Sequence, residues 1–261
     1  MRPYLAVLSA RFRMLLQYRA AAVAGLATQI FWGLIRMMIF IAFFDNAINP
    51  PMNLGQVITY VWLGQAFLLL MILGPDSELQ RMINSGNIAY ELLRPVDLYG
   101  LIFTRTLAGR VAPMCLRAGP ILLLATLPGW LHWPTLWSLA AFAISIIGAI
   151  LLCSAVGALM TVSMFWTISG AGVVRIISGA AYFLSGLVVP LPLFPESLQR
   201  VLYALPFRGL ADIPFRLFTG NLLPSDLWRV LAQQLGWTVA LVLFGRWLLG
   251  RALRRVVVQG G

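Results

Sequence analysis

The chain contains no lysine. That absence removes the phosphate-binding G-x-x-x-x-G-K-[ST] loop, so ATP is not held in that way, and it removes any Schiff-base lysine. Histidine is almost missing as well. His132, in "GWLHWP", stands without a second histidine or a nearby cysteine to complete a zinc site. The two cysteines, Cys115 and Cys153, sit in apolar runs and are expected as buried small hydrophobes rather than a disulfide. Charge is scarce: 10% of residues carry one, against about 25% in a soluble domain.

What remains is oily. Hydrophobic residues make up 61% of 261, and the mean hydropathy is +0.88. Water cannot solvate a fold with so much apolar surface, so the expectation is one all-α integral membrane domain. The net charge of +11 rests on 19 arginines that fall between apolar runs rather than in a patch. That distribution argues against nucleic acid and for contact with lipid headgroups.

Residues 1–19 place Leu5, Leu8, Phe12, Leu15 and Leu16 at helical spacing beside Arg2, Arg11, Arg13 and Arg19. This reads as an amphipathic helix lying in the membrane interface. A signal peptide fits less well, because the apolar run before Arg11 is too short. Six stretches then reach crossing length: Ala20–Phe44, Val57–Gly74, Leu101–Leu127, Leu136–Phe165, Val173–Val189 and Val230–Leu249. Arg105, Arg110 and Arg117 make the third the least apolar, so its first turns are expected at headgroup level.

Arginine counts in short connections orient these spans. The connections Asp45–Gln56 and Pro128–Thr135 have none, whereas the opposite side carries Arg81, Arg94 and both chain ends. Both termini are therefore expected in the cytoplasm. Pro190–Arg229 breaks the rule, with Arg200, Arg208, Arg216 and Arg229 on the outer side. Prolines 190, 192, 195, 206 and 214 interrupt an apolar run there. Broken apolar helix at membrane depth must be buried or line a cavity, so residues 183–220 read as short re-entrant helices before the last span. A surface amphipathic loop is the other reading.

One polar passage interrupts the oil: "PDSELQRMINSGNIAYELLRPVDLYG", residues 75–100. Asp76, Ser77 and Glu78 favour a helix start. Leu79, Met82 and Ile83 form an apolar stripe, and Ser85-Gly86 permits a turn. A second short helix, Asn87–Leu93, is stopped by Arg94-Pro95. Glu91 and Arg94, three residues apart on one face, are expected to project beside Leu92 and Leu93. They can pair with each other or reach a soluble partner.

"SGNIAYELLRPVDLYG" (Ser85–Gly100) resembles a segment of the permease subunits of type-2 ABC exporters, in the branch of daunorubicin-type and viologen-type exporters. So do "YLAVLSARFRMLLQYRAA", "FWTISGAGVVRI", "SGLVVPLPLFPESLQ" and "LPFRGLADIPFRLFTG". The likeness covers essentially the whole chain; the ending "RRVVVQGG" departs from it and is expected to add no further domain. The resemblance implies a six-span transmembrane domain over residues 20–261, preceded by an elbow helix at 1–19. It also implies a separate ATP-binding cassette subunit that holds ATP and magnesium, and a second permease chain, identical or different. No cofactor is expected on this chain, nor an enzymatic site of its own. By position, residues 75–100 would be the element that receives motion from the ATPase, through Glu78, Arg81, Asn87, Tyr90, Glu91, Leu92, Arg94 and Asp97. The place would be a bacterial cytoplasmic (inner) membrane, and the cargo a hydrophobic or amphipathic compound moved outward, as in multidrug efflux.

Arg36 lies inside the first span, where a charge is costly and faces a partner or water. With Trp62 and Gln65 it is a candidate for the pathway or a subunit interface; Trp32 and Phe67 belong to the same group. An arginine-lined cavity favours anionic over cationic cargo. Trp130 and Trp133 read as an interfacial aromatic belt, and "SGAGVVR" (Ser169–Arg175) as a tight turn with close helix packing. Two other classes stay open: an integral-membrane lipid-modifying enzyme and a non-transporting scaffold.

Overall fold

The computed structural model describes residues 2–16, 19–71, 73–167 and 171–254. Among them every regular element is helical. In chain order these are α1 (Arg2–Leu16), α2 (Arg19–Phe44), α3 (Leu54–Ala66), α4 (Leu68–Met71), α5 (Ser77–Asn84), α6 (Ile88–Leu92), α7 (Leu98–Thr126), α8 (Leu136–Ser163), α9 (Ala171–Leu184), α10 (Glu196–Ala204), α11 (Asp212–Phe218) and α12 (Leu227–Leu253). Four are long and apolar enough to cross a membrane: α2 over Gly25–Phe44, α7, α8, and α12 with the turn that leads into it. Their limits fall within a few residues of the sequence expectation.

The second and fifth expected spans are not continuous helices. α3 starts at a reciprocal cap, where Asn53 accepts from the Gln56 N–H at 2.8 Å and the Gln56 side chain accepts from the Asn53 N–H at 3.0 Å. It stops at Phe67, resumes for the single turn of α4, and is lost before Pro75, which disfavours helix at the preceding residue. Other helices satisfy the carbonyls this frees. Arg110 of α7 donates to the Gly74 carbonyl at 2.7 Å, and Ser178 of α9 donates to that of Leu73 at 2.8 Å. Arg110 thus serves the protein interior, at the end of the helix break. α9 ends at Leu184, and Ser185–Pro190 continues as irregular backbone. The Asp212 N–H donates to the Ser185 carbonyl at 3.0 Å, and Arg36 donates to that of Leu187 at 3.2 Å. Gly186, at φ +86°, turns where a Cβ would lie 2.7 Å from the Tyr60 hydroxyl.

α8 is the hub, packed by α7, α11 and α12. Gln234 of α12 is fully buried against Gly148 and donates to the carbonyls of Ser145 (3.1 Å) and Gly209 (2.8 Å). An amide between apolar helices acts here as a polar clamp. The proline-broken run is mostly interior. α11 buries Ile213, Phe215, Leu217 and Phe218, and Phe215 meets Tyr60 edge-on at 5.2 Å. Arg208 and Arg216 both pair with the buried Asp212, at 3.2 and 3.4 Å, and flank the Tyr203 ring. Their role inside the fold explains two of the four arginines that break the charge rule.

Candidate coupling element and groove

α5 and α6 sit on the α7 end of the bundle. The Asp76 side chain accepts from the N–H groups of Glu78 and Leu79, each at 3.0 Å, and so starts α5. Leu79, Met82 and Ile83 pack into the apolar cluster of Ile102, Val162 and Leu249. Gly86, at φ +75°, makes the turn, α6 follows, and Asp97 caps α7 by accepting from the Gly100 N–H at 2.9 Å. The polar interruption is therefore a folded bracket with its stripe turned inward.

A four-residue charge network anchors it. Arg11 of α1 reaches Asp76 at 2.6 Å and Glu78 at 2.8 Å. Arg105 of α7 reaches Asp76 at 3.3 Å and also pairs with Glu78. Three elements are tied in one lattice, with Asp76 nearly inaccessible and Glu78 half-exposed. Burial is the largest influence on the Asp76 carboxyl and raises it. The Leu79 N–H and the guanidinium groups of Arg105 and Arg11 together outweigh burial, so the net position is below the ordinary 3.8. Glu78 follows the same balance: burial raises it, and bonds from Arg11 and Arg105 bring it below 4.5.

The expected site residues divide between anchor and surface. Glu78 belongs to the network. Asp97 pairs with Arg246 of α12 at 3.0 Å. Glu91 does not project as expected: it is 7% exposed and holds the outward Arg94 at 3.1 Å. The burial comes from α6 being a single turn whose Ile88 and Glu91 face the bundle. Arg81, Asn87, Tyr90, Leu92 and Arg94 are exposed, and the tip is apolar, with Tyr90 at 70% and Leu93 at 82%. Arg11 and Arg105 also belong to the site, and Asp76 is an ion-pair centre as well as a helix start. Opposite charges on three neighbouring elements were the available signal.

A second feature is a groove of about 760 Å³ between α2, α3–α4, α9 and residues 188–193. Arg36 and Gln65 line it, as do Trp32 and Tyr182. Arg36 donates to the Tyr182 hydroxyl at 2.6 Å as well as to Leu187. Trp62 does not line the groove. It is fully buried and stacks on the half-buried Trp130 at 5.2 Å; Trp133 stays exposed. Phe67 is likewise core, edge-on to Phe142 at 5.6 Å. Cys153 is buried, but Cys115 is exposed. A side chain turned outward to lipid has the same apolar neighbours in sequence as one turned inward. The turn expected at Ser169–Arg175 lies partly outside the described residues, and helix α9 holds the rest.

The profile of the family described as ABC-2 family transporter protein matches residues 30–260. The chain belongs to the ABC-2 transporter family. It is the multi-pass membrane component of a transporter, of a kind that pairs with an ATP-binding cassette subunit. A search of curated proteins found no match to it. For an ABC-2 membrane component, a bracket with an exposed apolar tip and a groove lined by an arginine of a span-length apolar helix are the two features to explain.

Proposed function

We propose that the chain is the permease of an ATP-driven exporter in the daunorubicin- and viologen-exporter-like branch. It moves a hydrophobic or amphipathic compound outward from the cytoplasm or inner leaflet. α2, α7, α8 and α12 make four crossings. α3–α4 spans 18 residues, about 27 Å as helix, which suits a fifth. α9 with the irregular backbone after it makes the sixth. Both termini then lie in the cytoplasm of a bacterial inner-membrane protein. α1 is the interfacial elbow helix, its exposed Leu5 toward lipid, and residues 183–220 dip into the outer leaflet.

A separate subunit binds ATP and magnesium and docks on the bracket at 75–100. Tyr90, Leu92, Arg94, Arg81 and Asn87 form the contact; Glu78, Glu91 and Asp97 hold it in place. A second permease chain, identical or related, closes the groove around the cargo. One observation carries this reading: an apolar tip, Tyr90 and Leu93, stands fully outward on helices that are otherwise pinned by ion pairs. Such a tip needs a protein groove to cover it. The test is ATP-dependent dye efflux from proteoliposomes containing this chain and its ATPase. Efflux is expected with both and absent with the chain alone; ATP-independent efflux by the chain alone contradicts the proposal.

A further inference from the structure

The groove beside α2 carries charge of one sign. Among the described residues that line it, Arg36 alone is ionised, and none is an aspartate or glutamate. Arg36 stands near the middle of the apolar stretch Gly25–Phe44. Both of its partners are neutral: Nη1 donates to the Leu187 carbonyl at 3.2 Å and Nη2 to the Tyr182 hydroxyl at 2.6 Å. These bonds aim the guanidinium without cancelling its charge. The ion pairs among the described residues all lie elsewhere. The Arg36 Nε–H donates to nothing within the described protein and, unlike that of Arg11, is not sealed inside the fold.

Around that charge the wall is hydrocarbon and open. Trp32, Ile39 and Phe43 of α2 are exposed, and Leu68, Val188 and Leu193 extend the apolar lining. A volume of about 760 Å³ admits an alkyl or aryl body beside the guanidinium. A cation among hydrocarbon and neutral dipoles is costly, and only an anion offsets the cost. A neutral head leaves the charge as it was, and a second cation is repelled.

We infer that the groove takes an amphiphile with an anionic head (carboxylate, sulfonate or phosphate) held at Arg36, its apolar body along the α2 wall, and that it rejects cationic amphiphiles. This rests on reading the chain as an exporter with the groove as its pathway. A free amphiphile and the headgroup of an anionic phospholipid share that chemistry.

The test is equilibrium binding to the full chain in phosphatidylcholine nanodiscs. The probes are radiolabelled dodecanoate, its methyl ester and dodecylammonium. Each is compared between wild type, Arg36→Gln and Arg36→Lys in the same discs, so that partition into lipid cancels. Arg36→Gln should bind dodecanoate roughly tenfold more weakly, the ester within about twofold of wild type, and dodecylammonium more tightly. Arg36→Lys keeps the charge and should keep the wild-type order. Phosphatidylglycerol discs separate the two sources. Unchanged dodecanoate affinity assigns the site to a free amphiphile; a loss that Arg36→Gln does not share assigns it to the lipid headgroup. The inference is overturned if wild type binds all three probes alike, if none binds above empty discs, or if Arg36→Gln moves all three in one direction, as a purely structural role would. Should Arg36→Gln not fold, the wild-type order of dodecanoate over dodecylammonium decides. Such a failure leaves the exporter reading standing while ATP-dependent efflux persists. Loss of that efflux with the anion preference intact removes the exporter reading instead.

Discussion

Replacing Asp76 with asparagine separates charge from capping. Asparagine is as good an N-cap as aspartate, so the bonds that start α5 survive. The carboxylate does not, and Arg11 and Arg105 must then share Glu78 alone. Removing one partner from a buried ion pair costs about 3–5 kcal/mol. Glu78 stays, and a cleft of about 230 Å³ beside the network admits water, so the expected loss is nearer ~2 kcal/mol. Reversible unfolding in mixed micelles would measure it. A double-mutant cycle with Arg11→Gln should show coupling of about 1–2 kcal/mol, and one with Arg105→Gln a similar value. The pH dependence carries a second signature. Both carboxyls are held below their ordinary values of 3.8 and 4.5. A depressed carboxyl stabilises the fold above its unfolded pKa, and that contribution is lost as pH falls through the folded one. Stability should therefore be level near neutrality and decline below about pH 4.5. The decline should be shallower in Asp76→Asn. Additivity within about 0.5 kcal/mol, together with an unchanged acid limb, would refute the network.

Three further outcomes follow. Gln234→Leu leaves the Ser145 and Gly209 carbonyls without their donor, so a loss of about 1–3 kcal/mol is expected in the same unfolding assay. Tyr90→Ala with Leu93→Ala should leave thermal stability unchanged, since both are outward, yet reduce co-purification of the ATP-binding cassette subunit at least tenfold; roughly 1.4 kcal/mol across the contact suffices. An apolar maleimide should label Cys115 in micelles and spare Cys153 until the chain is unfolded, as read by mass spectrometry.

Local chemistry was the legible part of the sequence. Asp76 before α5, Arg94-Pro95 after α6 and the apolar runs of α2, α7, α8 and α12 announced those elements within a few residues. The breaks after α3 and α9 were harder to read. An apolar run signals burial in lipid, but only the Arg110 and Ser178 side chains make a helix break at Gly74 tolerable. The candidate site divided in the same way. Its bracket was visible as a polar interruption. Its anchor joins residues 67 and 27 positions apart, a pairing no local pattern records. Nor does an apolar helix reveal which side chains face protein and which face lipid. For that reason Trp62, expected along the pathway, packs in the core, and Cys115, expected in the core, faces outward.

The most direct measurement asks where the nucleotide-hydrolysing partner touches this chain. With Cys115→Ala as background, a single cysteine is placed at Leu93, on the bracket, or at Ile48, 91% exposed in the connection after α2. Each is co-expressed with the ATP-binding cassette subunit and treated with a short bifunctional maleimide. The account predicts that Leu93→Cys captures that subunit and Ile48→Cys does not. Capture through Ile48→Cys, with Leu93→Cys silent, would contradict it.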